Sequence, residues 1–178
     1  WNFSEASFGM AALNSYYATP SVADEHGFAL ADAPWPHIFD PFREAVAGEK
    51  VAVIGHFPFA PKALNQAADF YMLERSLNEG DYPDSAAEYI LPECDYVFIT
   101  GSAFVNKTAP RLLELSRESF NVVLGPSTPL APVLLEDYGV SQITGMLPTS
   151  PLAMFEGLSG TDAATAMFEW GHRAELSA

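Results

Sequence analysis

Two polar segments of this chain carry the side chains best suited to hold a small ligand. One reads T-G-S-A-F-V-N-K-T and spans Thr100–Thr108, and the other reads G-P-S-T-P and spans Gly125–Pro129. Backbone N–H groups, hydroxyls, an amide and a cation beside a helix start suit a phosphate, a carboxylate or another anion. The ligand-binding residues predicted in these segments are Thr100, Gly101, Ser102, Asn106, Lys107, Thr108, Gly125, Pro126, Ser127 and Thr128.

A histidine and a glutamate form the second candidate group. His56 directly follows a buried apolar run, where a neutral imidazole can ligate a metal or act as a general acid or base. Glu74 ends the next run and is within reach of His56 if the two strands are neighbours. The other predicted ligand-binding residues of this turn are Phe57 and Pro58. We predict His56 and Glu74 as metal ligands in one cleft, with Ser102 and Ser127 on its other side.

The same segments also allow a structural interpretation, which the sequence leaves open. Gly55, with Glu74 about 20 residues later, outlines a dinucleotide-binding turn, but the second and third glycines are absent. The Thr100–Thr108 segment lacks the G-K-[ST] order of a P-loop, and no G-x-S-x-G motif surrounds Ser127. In the structural interpretation Gly55 permits a sharp turn. Three hydroxyl residues then act as helix caps, namely Ser102, Thr108 and Thr128.

Five short apolar runs must position these residues, and we predict them as buried strands. The runs are Val51–Ile54, Asp69–Leu73, Tyr96–Ile99, Asn121–Leu124 and Ser141–Ile143. Because they alternate with helix-like segments, they indicate βαβ units and a parallel sheet. Such sheets bind ligands at the carboxyl ends of their strands, where all the candidate turns would cluster. The predicted fold is α/β, a Rossmann-like three-layer sandwich with a mainly parallel five-stranded sheet.

The rest of the chain is predicted as helices, one irregular crossover and a linker. The predicted helices are Ser4–Tyr17 with Ser4 as its cap, His37–Val46, Pro61–Ala67, Ala109–Glu118, Pro129–Tyr138, Pro151–Leu158 and Asp162–Leu176 with Thr161 as its cap. The crossover is Gly80–Pro92. We predict that residues 1–19 are the C-terminal helix of a mostly absent N-terminal domain, residues 20–36 a linker and residues 37–178 the Rossmann-like domain.

Composition excludes several classes of function. With 178 residues, 49% of them hydrophobic, the chain can bury the core of one sizeable domain. Its net charge of −15 argues against a nucleic-acid-binding or anionic-membrane surface, while a solvated acidic surface and cation binding are both compatible with it. Cys94 is the only cysteine, which excludes an intrachain disulfide and a Cys-rich zinc site. No apolar run has transmembrane length, and we predict a cytoplasmic protein.

Several segments together resemble a prokaryotic Rossmann-like family known as the putative heavy-metal chelation domain. The segments are V-A-V-I-G-H-F-P-F (Val51–Phe59), Glu74, D-Y-V-F-I-T-G-S-A-F-V-N-K-T (Asp95–Thr108) and V-L-G-P-S-T-P-L (Val123–Leu130). In addition, Ser7–Tyr17 resembles the helix that ends that family's smaller, enolase-N-like N-terminal domain, most of which is missing here. The resemblance implies a ligand cleft between the two units and a metal or metal-complex ligand.

Two classes of function therefore remain open. A binding module would hold a heavy metal, a metal chelate or an anionic metabolite without any covalent step. An enzyme would act on a small anionic or nucleotide-like substrate, with His56 or Glu74 as acid or base. Since no nucleophile–base pair stands out, we favour the binding module. The expected cofactor is a divalent or heavy metal, and the expected partners are that small ligand and a separate N-terminal unit or a second copy of the chain.

Overall fold

The computed structural model describes residues 2–161 and 163–178, and within these ranges the strands form one eight-stranded sheet. The strands are β1 Ala29–Leu30, β2 Lys50–Ile54, β3 Asp69–Glu74, β4 Tyr82–Pro83, β5 Tyr96–Thr100, β6 Phe120–Leu124, β7 Gln142–Pro148 and β8 Gly171–Ser177. Their order is β1-β8-β7-β6-β5-β2-β3-β4. Strands β2 to β7 pair in parallel, whereas β8 runs antiparallel to both β7 and β1.

The predicted α/β fold with a mainly parallel sheet is confirmed, and all five predicted strands are present. Within the described ranges the sheet has eight strands, and three of them, β1, β4 and β8, were not predicted. Strands β1 and β4 have two residues each, which is too short for any apolar alternation to appear. Strand β8 is formed by pairing along the whole of β7, a tertiary contact that local sequence does not encode.

The helices are one long N-terminal helix and several short ones. They are α1 Phe3–Tyr17, α2 Pro20–Glu25, α3 Ala60–Ala63, α4 Ala87–Ile90, α5 Ser102–Val105, α6 Ala109–Leu115, α7 Val133–Tyr138, α8 Pro151–Leu158 and α9 Ala163–Trp170. Asn2, instead of the predicted Ser4, caps α1 by accepting a hydrogen bond from the Glu5 N–H at 3.2 Å. No helix of the described residues is long and apolar enough to cross a membrane.

Several predicted helices are wrong in extent or type. The helix predicted over Asp162–Leu176 ends at Trp170, where β8 takes over, and its first residue lies outside the described ranges. The predicted His37–Val46 helix is replaced by turns, among them the 3₁₀ turns Trp35–His37 and Asp40–Phe42, because Pro41 within it has no N–H to donate to the His37 carbonyl. The helices predicted from Pro61 and Pro129 shrink to α3 and α7. The predicted linker, residues 20–36, contains α2, β1 and one of the 3₁₀ turns.

Apolar residues on both faces of the sheet make two separate core clusters. Alternate residues of β2 divide between them, with Ala52 on one face and Val51 and Val53 on the other. The first face is covered by α4 to α7, and the second by the segment around Phe39, α3, α8 and α9. A ligand at the carboxyl ends of the strands can therefore approach either of two covered faces.

Candidate functional site

The carboxyl ends of β2 and β5 meet where the chain reverses its direction across the sheet. From β2 the chain adds β3 and β4 on one side, whereas β5, β6 and β7 follow on the other side. In open parallel sheets this switch point opens the crevice where ligands bind. Gly55 leaves β2 with φ +104°, which confirms the sharp turn expected of it, and a Cβ there would lie 3.2 Å from Thr100. The two strand ends thus lie side by side at the predicted place.

The first backbone amide of each turn bonds within the sheet instead of pointing at a ligand. The N–H of Gly55 donates to the Leu73 carbonyl at 2.9 Å, and the N–H of Gly101 donates to the Leu124 carbonyl at 2.9 Å. The N–H of Gly125 extends the ladder in the same way, to Thr144 at 3.1 Å. These three N–H groups are therefore not available to an anion at the turns.

The turns after β5 and β6 are in close contact at Gly101 and Thr128. A Cβ added to Gly101 would lie 2.4 Å from the Thr128 backbone nitrogen, which only a glycine avoids. Thr128 is buried and does not cap α7, because that helix begins at Val133. The Asn14 side-chain amide of α1 donates to the Ser127 carbonyl at 3.1 Å, so α1 is attached to the same turn. Gly101, Ser127 and Thr128 thus hold the two turns together without lining either cavity described below.

A cavity of about 380 Å³ opens between β2, β3, β5 and α6 on the first face of the sheet. Of the predicted ligand-binding residues, it is lined by Glu74, Thr100, Ser102, Asn106, Lys107 and Thr108. Its apolar wall is Ile54, Leu73, Ala87, Leu112 and Leu115. Four charged lining residues were not predicted, namely Arg75, Asp84, Glu88 and Arg111. Their sequence context is that of ordinary surface charges, and only the tertiary structure brings them here.

Most charges of this first cavity are already paired. The Arg111 guanidinium donates from Nε to Glu88 at 2.9 Å and from Nη1 to Glu114 at 2.7 Å. These hydrogen bonds raise the pKa of Arg111 and hold the pKa of Glu88 below its ordinary value. Arg75 pairs with Asp84 at 3.5 Å. Lys107 differs from both arginines, because it forms no ion pair within the described residues.

The Asn106–Thr108 turn presents Lys107 in an unusual backbone conformation. Lys107 has φ +67°, the left-handed region that non-glycine residues rarely adopt. The Asn106 Oδ1 accepts from the Thr108 N–H at 3.1 Å and from its hydroxyl at 2.7 Å, which fixes the turn. Neither Ser102 nor Thr108 caps a helix through its side chain, and the Ser102 hydroxyl lies 2.9 Å from that of Thr100. Thr108 does occupy the N-cap position of α6, but its hydroxyl caps no helix N–H, and Ser102 lies within α5, so side-chain capping does not account for these polar residues.

Glu74 and His56 meet through the backbone and not across a shared cavity. One Glu74 carboxylate oxygen accepts from the His56 N–H at 3.0 Å, and the other accepts from the Arg75 N–H at 2.7 Å. Glu74 is a lining residue of the first cavity, whereas His56 is a lining residue of a second cavity on the opposite face of the sheet. Glu74 thereby stabilises the turn that carries His56.

An aspartate that the sequence did not single out positions the His56 ring. The His56 Nδ1 lies 3.1 Å from Oδ2 of Asp81, a carboxylate whose side chain is fully buried. The backbone N–H and side-chain amide of Asn78 also donate to Asp81, at 3.0 and 3.2 Å. These hydrogen bonds, together with that of His56, hold the pKa of Asp81 below its ordinary value. Since an ionised carboxylate only accepts, Nδ1 is the donor in this contact, and in the neutral imidazole Nε2 would be the acceptor nitrogen.

The second cavity, of about 610 Å³, lies between the turn after β2, residues 31–38 and the start of β8. Of the predicted ligand-binding residues, it is lined by His56, Phe57, Pro58 and Pro126. Four predicted residues line neither cavity, namely Gly101, Gly125, Ser127 and Thr128. Within residues 2–161 and 163–178, no three His, Cys, Asp or Glu residues lie close enough to hold a metal ion.

Comparison with known proteins places this architecture in one family. A family model described as "DUF364: Putative heavy-metal chelation" matches residues 37–174. A crystal structure of a DUF364-family protein of unknown function from Desulfitobacterium hafniense matches with a TM-score of 0.87 and 42% identity, over 100% of this chain and 70% of that chain. Another, from Pyrococcus horikoshii, has a TM-score of 0.81 and 20% identity, over 99% of this chain and 70% of that chain, and shows likeness of fold.

A curated relative matches over a shorter region. An uncharacterized protein of Methanocaldococcus jannaschii is 29% identical over 101 residues, which are 53% of this chain and 39% of that protein. The chain thus spans about two fifths of the length of this relative.

Proposed function

This chain belongs to the DUF364 family, and on that premise we propose that it binds a small anionic ligand, or a metal complex of one, in the first cavity. The single observation that supports this most is Lys107 at the cavity wall, which has no ion-pair partner in the part of the chain that the structure describes. The chain has 23 acidic and only 8 basic residues, so a cation without a carboxylate partner is unusual. Lys107 is such a cation, and it lies at the carboxyl ends of the central strands, where parallel sheets bind ligands.

The rest of the lining indicates what the ligand contains. The side-chain amide nitrogen of Asn106 has no partner within the described residues, and the hydroxyls of Thr100 and Ser102 bond mainly to each other. Together with Lys107 they offer several donors to an anionic group. The leucine and isoleucine side chains on the other wall suit an uncharged portion of the same molecule. We therefore propose a ligand that carries a carboxylate or phosphate on an otherwise apolar body.

The backbone conformation of Lys107 adds support. A non-glycine residue in the left-handed region costs on the order of 1 kcal/mol, which a glycine would avoid. The hydrogen bonds of Asn106 to Thr108 fix this conformation without any contribution from the lysine side chain. A requirement for the ammonium group explains why a strained lysine stands in this turn.

Native mass spectrometry with elemental analysis of the purified chain tests this proposal, because it identifies a retained ligand of any class. We expect an anionic small molecule, with or without a metal, in the wild type and in Lys62→Ala, which removes another exposed lysine without an ion pair. Lys107→Ala should lose that molecule. If none is retained, the variant should bind added citrate and inorganic phosphate about tenfold more weakly than wild type, because a charge-assisted hydrogen bond contributes about 1.5–3 kcal/mol. Equal retention by the two variants would contradict the proposed role of Lys107.

A second candidate function, metal binding or acid–base chemistry at His56, is favoured by the Asp81 contact. A carboxylate on one ring nitrogen of a histidine is the usual arrangement around a metal-binding or catalytic imidazole. No further His, Cys, Asp or Glu of the described residues completes a metal site there. His56 can therefore supply one ligand to a metal that another molecule already coordinates, but it cannot hold a bare ion. Glu74 is a poorer acid or base than His56, since both its oxygens accept backbone hydrogen bonds.

The chain contains a matched control for this second candidate. His37 also contacts an aspartate through Nδ1, at 2.6 Å from Asp40, but it lines neither cavity. Titration with nickel nitrilotriacetate, which has open coordination positions, should show binding that His56→Ala abolishes and His37→Ala preserves. Binding that survives in His56→Ala would exclude His56 as the ligand.

A further inference from the structure

Arg111, a lining residue of the first cavity, is held by two glutamates that differ in position. Arg111 and Glu88 both line the cavity, whereas Glu114 does not. Glu88 holds the guanidinium edge that carries Nε and Nη2, with one carboxylate oxygen on each nitrogen. Glu114 accepts from Nη1 only, at 2.7 Å. Glu88 therefore fills a two-point site that otherwise suits a carboxylate or a phosphate of a ligand.

The ion pair between Arg111 and Glu88 is open to solvent. The side chain of Arg111 is 51% exposed and that of Glu88 is 48% exposed. Ion pairs that water reaches contribute little to stability, because the solvent screens the attraction and two long side chains must be ordered to form it. An anion that enters the cavity can therefore replace the Glu88 carboxylate on Arg111 with little loss of stability.

The position of Lys107 indicates how many charges such an anion carries. Lys107 lies two residues before α6 and Arg111 lies in the first turn of that helix, and both line the first cavity. A monocarboxylate that replaced Glu88 would exchange one carboxylate for another at Arg111, so it would gain nothing there. A dianion carries a second negative charge, which the ammonium group of Lys107 can match with a charge-assisted hydrogen bond.

We propose that Arg111 is a second anion-binding residue of the first cavity, that Glu88 masks it in the free protein, and that the anionic group of the ligand is a dianion of the phosphate monoester type. This inference rests on the function proposed above for the same cavity. The phosphate of the ligand displaces the Glu88 carboxylate from Nε and Nη2 of Arg111 and also accepts from Lys107. A monocarboxylate, which is no better a partner for Arg111 than Glu88 is, would be held by Lys107 without Arg111.

The test measures the binding of phenyl phosphate and of benzoate, two probes with the same apolar ring, to the whole chain by isothermal titration calorimetry. At pH 8 the phosphate is a dianion, since its second pKa is about 6. We expect wild type to bind phenyl phosphate about tenfold more tightly than benzoate, because the phosphate gains the hydrogen bonds of Arg111. Glu88→Gln should bind phenyl phosphate about fivefold more tightly than wild type, since no carboxylate then competes for Arg111.

Glu114→Gln is the matched control, because it removes one negative charge from the same guanidinium at a residue that does not line the cavity. It should change the dissociation constant of phenyl phosphate less than about twofold, since it frees one N–H and not a two-point edge. Adding Arg111→Gln to Glu88→Gln should abolish the gain, which long-range charge alone would leave in place.

The inference is overturned if the two glutamate variants tighten binding equally, if the double variant keeps the gain, if benzoate binds wild type as tightly as phenyl phosphate, or if no variant binds phenyl phosphate. The function proposed above fails by a different result. In that case Lys107→Ala retains the same molecule as wild type in native mass spectrometry, whatever the two glutamate variants do.

Discussion

Adding one methyl group at Gly101 should destabilise the protein strongly, because the turns after β5 and β6 meet there. Gly101 has φ −58° and ψ −22°, which any residue can adopt, so only steric contact opposes alanine. A Cβ would lie 2.4 Å from the Thr128 nitrogen, 2.6 Å from its Oγ1 and 2.7 Å from its Cα. Two of these three atoms are backbone, and no side-chain rotation removes the overlap.

We expect Gly101→Ala to lower the free energy of unfolding by about 3 kcal/mol, the upper part of the range for overpacked sites. With a urea m-value of about 2 kcal/mol/M, the unfolding midpoint should fall by about 1.5 M. The control is Gly9→Ala, where a Cβ within α1 meets nothing within 4 Å and should stabilise the helix by about 0.5–1 kcal/mol. A Gly101→Ala midpoint within 0.3 M of wild type would refute the close approach of the two turns.

Three further predictions concern single side chains. Lys107→Gly should be at least as stable as wild type in urea unfolding, because glycine adopts φ +67° without strain, and a clear loss of stability would contradict this. The pKa of Asp81 is lower in the folded protein than in the unfolded chain, so its ionised carboxylate adds to the free energy of unfolding above the unfolded pKa, about 3.9. This stabilisation is lost as the pH falls through the pKa of the folded state. Asp81→Asn should therefore cost stability at pH 7 and much less at pH 3, whereas an equal cost at both would argue against an ionised Asp81. Burial raises the pKa of Cys94 to about 11, so iodoacetamide at pH 8 should label it only after unfolding, as followed by mass spectrometry.

The sequence by itself determined the parallel sheet and the edge of the sheet at which its polar turns meet. Each central strand is a short apolar run that is buried on both faces, and small or polar residues follow it at once. These features are local, and the topology of βαβ units then places every such turn at the same edge of the sheet. For that reason the Thr100–Thr108 segment could be placed at this edge, where five of its residues line the first cavity, before its contacts were known.

Elements that are stabilised by residues far away in the chain could not be predicted from the sequence. Strand β8 reads H-R-A-E-L-S after Gly171, a pattern equally compatible with a helix. Its backbone becomes extended because β7 offers an unpaired edge, and β8 satisfies the hydrogen-bonding groups of that edge along seven residues. The same pairing buries Arg173 at the second cavity, which no local pattern indicated.

The division of the candidate residues between two cavities was decided only by the tertiary structure. Strand alternation would place His56 on the same face as Ile54, which lines the first cavity. Gly55, at φ +104°, breaks that alternation, and the chain turns so that His56 lines the second cavity and bonds to Asp81. Residue types and spacing specify which side chains reach the edge of the sheet. The backbone conformation of Gly55 determines which face His56 lines.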